Sequence, residues 1–155
     1  MTDTRIDGTQ RFLCTQHRQN LENNPDQATV TWNRLIISAR QKTTNNHWQQ
    51  AANVYACALE VADIIFQHTP NKHTADRYIK TVIELSYTLR HCHTATSLSP
   101  LVQKAKYQLK RYLLTDYSND LLQPILDVAF SPMIKVNQWM KTFFHLESTQ
   151  PFMLH

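Results

Sequence analysis

The chain nearly repeats itself, helix position for helix position, at an offset of 47 residues. Ala28, Trp32, Leu35, Ile36 and Ala39 recur as Ala75, Ile79, Val82, Ile83 and Ser86. The same offset carries Val54, Tyr55, Ala58, Ala62, Ile65 and Phe66 onto Leu101, Val102, Ala105, Leu109, Tyr112 and Leu113. A unit of this length holds two helices that cannot bury their apolar faces alone, so the repetition predicts stacked helical hairpins. Such stacks usually build binding surfaces rather than catalytic pockets.

Only one glycine, Gly8, stands among the 155 residues. Phosphate-cradling loops, dinucleotide fingerprints and glycine-flanked nucleophile elbows all require glycines at fixed offsets, and are excluded. A β-rich fold would be short of hairpin turn residues. Helix ends must therefore use asparagine in the left-handed region (Asn45, Asn46, Asn71) or proline stops. The length suits one domain that buries roughly 70% of its unfolded surface, and an apolar content of 42% supplies a core. Three cysteines at unrelated positions, Cys14, Cys57 and Cys92, argue against a disulfide framework and for a reducing compartment. The polar N-terminus has no apolar h-region, and Glu60 and Asp63 interrupt the apolar run from Val54 to Phe66. A cytoplasmic protein without a membrane span is expected.

Residues 1–23 are weakly patterned, with at most a short helix around Arg11 to Leu21. Asn24-Pro25-Asp26-Gln27 reads as an N-cap, a proline in the first turn and a capping-box partner, opening a helix to about Thr43. A second helix, about 46–68, carries a wide apolar arc, with Gln49, Gln50, Asn53, Cys57, Glu60 and Gln67 on its wet side. Thr69-Pro70-Asn71-Lys72 breaks the chain before a third helix, about 73–93. Ser99-Pro100 starts a fourth, to about Leu114; further helices are expected near 119–130 and, from Ser131-Pro132, over 132–146. The organisation is a weakly structured segment 1–23, a domain 24–147 and a tail 148–155. Within the domain, units of about 24–70 and 71–117 are followed by C-terminal helices over 118–147.

The stretch Trp48-x-x-Ala51-Ala52-x-x-Tyr55-x-x-Ala58-Leu59-Glu60-x-Ala62, followed by a Pro-Asn turn, resembles the tetratricopeptide (TPR) repeat family in a long-helix form. The likeness covers about residues 26–114, and only 48–62 is specific. The family's first-helix glycine is missing and the 47-residue period exceeds the usual one, so a HEAT-like or general bundle reading stays open. The resemblance implies an all-α fold of two stacked hairpins closed by C-terminal helices. It also implies a protein- or peptide-binding role as adaptor, scaffold or small bacterial chaperone, without catalysis. The first helix of each unit would line a peptide groove, with Asn33, Ile37 and Arg40 matched by Lys80, Glu84 and Tyr87.

Other features compete with this reading. His91-Cys92-His93 invites a metal, but histidines two apart on a helix point about 200° away from each other. No metal or cofactor is expected. Glu60 and Asp63 read as a solvated face, and no Cys–His pair can be placed from sequence. The segment 101–114 holds Lys104, Lys106, Lys110 and Arg111 with no acid, matching by itself the net charge of +4. Lys104, Gln108 and Arg111 form one stripe beside Tyr107, which makes a nucleic-acid-binding helical adaptor the alternative function, although Asp116 and Asp120 lie close behind. Trp139, Met140, Phe143 and Phe144 are expected either to cap the open end of the stack or to form a homodimer interface. The tail Pro151-Phe152-Met153-Leu154 could fill a groove.

Overall fold

Asn24 accepts a bond from the Gln27 backbone N–H at 3.3 Å through Oδ1, and Pro25 occupies the first helical turn. This start launches α2, Pro25–Thr44. Its end is a Schellman arrangement, in which the His47 N–H donates to the Lys42 carbonyl at 2.8 Å and the Asn46 N–H to that of Thr43 at 3.0 Å. Asn46 supplies the left-handed residue, at φ 60°, that glycine usually provides. Helix α3 begins at once, Trp48–His68. Asn71 takes a role other than the left-handed stop expected of it. It sits extended at φ −158° and caps the start of α4, Lys72–His91, by exchanging bonds with Thr74 in a capping box.

In this computed structural model, residues 13, 15–92, 97–112 and 117–144 are described. The fold over these residues is all-helical, with seven α-helices and no strand. Thr15–Glu22 forms α1 within the weakly patterned segment, and its Leu21 is buried with Ala28, Val61, Ile64 and Ile65. Ser99–Tyr112 forms α5, Tyr117–Phe130 forms α6 around an internal Pro124, and Met133–Trp139 forms α7. A π-helical turn, Met140–Phe144, continues α7. The expected Ser131 cap shifts by one residue. Pro132 is the N-cap, because its carbonyl accepts from Lys135 and Val136 while the Ser131 carbonyl is taken by Arg90.

Helix α3 packs against α1, α2 and α4, and α4 packs in turn against α6. Gln49, Gln50, Asn53 and Gln67 of α3 are exposed as expected, but each of these two central helices loses its wet side over part of its length. Every residue from Leu59 to Phe66 on α3 is buried, and so is every residue from Thr81 to Leu89 on α4. The expectation that Glu60 and Asp63 face solvent is therefore corrected. Glu60 accepts from the Leu13 N–H at 2.7 Å, and Asp63 accepts from the Gln108 side chain at 2.6 Å and that of Gln67 at 2.9 Å. Buried carboxylates must gather donors in this way, since leaving one unsatisfied is costly.

Polar contacts join α2 to α4 and α3 to α5. Trp32 Nε1 donates to Thr81 at 3.0 Å across 49 residues, Arg40 bonds Glu84 across 44, and Gln108 reaches Asp63 across 45. All three separations lie close to the offset seen in the sequence. Phe66 adds a ring contact with Tyr112, at 5.4 Å between centroids.

Candidate functional site

The six residues assigned to a peptide groove do not share an open surface. Asn33, Ile37 and Lys80 are exposed, whereas Glu84 is fully buried and Tyr87 nearly so. Arg40 closes the space between α2 and α4. Its Nε and Nη2 donate to Glu84 at 2.9 and 2.7 Å, and the Tyr55 hydroxyl donates to the same carboxylate at 2.8 Å. Burial disfavours the Arg40 charge, but the bond and field of Glu84 outweigh it and raise the pKa above the ordinary arginine value. Burial also pushes the Tyr55 phenol well up, and the Glu84 charge adds to this, so Tyr55 stays a protonated donor. Glu84 and Tyr87 are thus corrected from groove residues to interior ones, because an ion pair and its phenol fill the cleft. A helical wheel for one helix cannot show that another helix will supply a cation to its buried acid.

Beside this cluster, the His91 ring stacks on Trp48 at 4.0 Å with planes 9° apart, and meets Tyr87 edge-on at 4.7 Å. Its Nε2 lies 3.3 Å from Asn137 Oδ1. The cluster borders an open depression of about 430 Å³ between residues 46–50 and Cys92. Burial lowers the His91 pKa; the Asn137 bond opposes this and the Arg90 charge reinforces it. A histidine whose pKa falls on folding is charged first in the unfolded chain. Its contribution to stability is therefore complete above the ordinary value near 6.5 and is lost as pH falls from there through the folded value. Thermal melts from about pH 7 down to about pH 5 are expected to show a falling midpoint, and His91→Phe should flatten that part of the profile. An unchanged slope in the variant would refute the assignment.

His93 and Cys14 lie outside the described residues, and no group of three or more potential metal ligands occurs among those described. Burial raises the pKa of both Cys57, where the Glu60 charge contributes, and Cys92. A thiol held protonated is a poor nucleophile. The hydroxyls of Tyr78 and Ser86 are buried and have no hydrogen-bond partner among the described residues.

The basic stripe divides in two. Gln108 is buried against Asp63, correcting its place on the exposed face, while Tyr107, Lys106, Lys110 and Arg111 are exposed and Lys104 half-buried. Of the C-terminal aromatic group, Met140 is fully buried in the main core with Val136, and Trp139 packs partly buried against it. The side chains of Phe143 and Phe144 and the whole tail 148–155 lie outside what is described.

Exposed apolar groups lie elsewhere. On α2, Val30 and Ile37 are 50% and 58% exposed. Seven residues apart, they sit on one face, about 10.5 Å from each other along the axis. Phe130 and Ile134 stand exposed at the α6–α7 corner. Val30 was missed in the sequence, although its seven-residue spacing to Ile37 was the signal that puts it on the same face, whereas the Phe130–Ile134 corner depends on how α7 leaves α6. No helix among the described residues is long and apolar enough to cross a membrane. Compared with protein-family models, with curated proteins and with solved structures, the chain matches none.

Proposed function

We propose that this chain is a protein-interaction module built of TPR-like stacked hairpins, with no chemistry of its own, that binds a helical segment of a partner protein along the outer face of α2. The observation that carries the reading is the Val30–Ile37 pair, two large apolar groups in register on a helix whose opposite face is committed to the core. Exposed Gln27, Asn33, Arg34 and Gln41 surround them, giving apolar anchors inside a polar rim. An amphipathic helix with apolar residues at i, i+3 or i+4, and i+7 matches that spacing. The α2–α4 and α3–α5 bonds at nearly one repeat offset support the hairpin reading. The cleft plugged by Arg40 and Glu84 directs the partner to the outside of α2 rather than between the helices.

The test is affinity capture from nuclease-treated host lysate with the wild-type chain and with Val30→Asp/Ile37→Asp, both checked for equal helicity. A stoichiometric protein held by the wild type at high salt should be lost from the double variant. Capture of the same proteins by both would sink the proposal.

A further inference from the structure

Helix α5 is anchored from below by buried Leu101, Val102, Ala105 and Leu109 and by the Gln108–Asp63 bond. Its outer arc, taken at 100° per residue, runs Lys106, Lys110, Gln103, Tyr107, Arg111, Lys104. Tyr107 lies near the middle of that arc and is 60% exposed. The Arg111 guanidinium sits 5.9 Å from the centre of the Tyr107 ring and 5.3 Å from that of Tyr112. No acid occurs in Ser99–Tyr112. None of the four cations makes an ion pair among the described residues, and the carboxylate bonded to this helix, Asp63, is turned into the core.

We propose that this face binds single-stranded nucleic acid, with the cations on phosphates and Tyr107 stacked on a base. Protein interfaces deplete lysine and gather apolar anchors, whereas this arc has three lysines, an arginine and one aromatic ring without an aliphatic side chain. A phosphate backbone needs such cations, and every base offers a face to an aromatic ring. Lys106 and Lys110 lie one turn apart, about 6 Å along the axis, so both can engage one strand. The packing beneath holds the helix in place, and binding need not order it.

The full chain is titrated into a fluorescein-labelled single-stranded oligonucleotide of mixed sequence, as DNA and as RNA, over a range of salt concentrations. Four neutralised phosphates give a slope of log K against log salt of about −2.8. Lys106→Gln/Lys110→Gln should reduce its magnitude by about 1.4. Tyr107→Ala, which leaves the charge unchanged, should weaken binding roughly tenfold at constant slope. The same loss of two charges at Lys72 and Lys135 should change the slope little. Absence of binding at low salt, an equal effect from the Lys72/Lys135 control, or an unaltered affinity in Tyr107→Ala each overturns the proposal. Displacement of the oligonucleotide by poly-glutamate at equal charge concentration also overturns it and reassigns the face to an acidic polypeptide. These outcomes do not depend on Val30 or Ile37, so the two surfaces are tested separately.

Discussion

Arg40→Ala is expected to lower the free energy of unfolding by about 3–5 kcal/mol, a large share of the total for a domain of this size. The cost arises at Glu84 rather than at position 40. With the guanidinium gone, a fully buried carboxylate keeps only the Tyr55 hydroxyl as a described side-chain donor. The Arg40 side chain is 31% exposed, so water can enter through the gap it leaves, which puts the lower end of the range forward. Replacing both partners, as Arg40→Met/Glu84→Leu, should cost less than Arg40→Ala alone, because no charge is then left inside. An unpaired Tyr55 hydroxyl still carries a penalty of about 1–3 kcal/mol. Urea unfolding of the two variants and the wild type measures both quantities, provided the m values agree. A loss below about 1 kcal/mol in Arg40→Ala would show the pair to be screened by solvent, contrary to the geometry.

Met140→Ala tests the C-terminal closure and should destabilise by about 2–5 kcal/mol. Met140 is fully buried among the residues of the main core, although it lies in a π-helical turn near the end of the described chain. Val136, one turn earlier, is buried with it, and Arg90 ties the α6–α7 junction to α4 through the carbonyls of Val128 and Ser131 at 2.9 and 2.6 Å. Truncating the side chain leaves a cavity that this braced corner cannot collapse to fill, so the cost should include a void term beyond simple transfer. A chemical denaturation midpoint equal to that of the wild type would mean that Met140 is dispensable and that the core closes without α7.

Much of the helix pattern was legible because it depends on local chemistry. Asn24-Pro25 can cap only a helix on its C-terminal side, Pro70 cannot continue α3, and Ser99-Pro100 opens α5, so helix bounds emerge within a few residues from short-range rules. The same locality identified Met140 as apolar and in need of cover. It failed where one helix face meets several neighbours. Glu60, Asp63, Glu84 and Gln108 have the side chains of a wet surface, yet each is buried with a partner from far along the chain: a donor or cation for the three carboxylates, the Asp63 carboxylate for Gln108. At Asn71 the error was of role. Asparagine serves both left-handed stops and N-caps, and Thr74 three residues later decided between them.

By itself, then, the sequence determined an all-helical chain, most helix ends, the apolar stripe of each helix and the acid-free charge of α5. These come from propensity, capping and periodicity, each set by residues a few positions apart. Only the tertiary structure decided that α3 is enclosed over Leu59–Phe66 and α4 over Thr81–Leu89, that Arg40 and Glu84 seal the cleft between α2 and α4, and that Phe130 and Ile134 are left facing water. Burial of a polar group is a balance between its desolvation and the partners that reach it, and those partners are brought together by packing across 44 to 49 residues of chain.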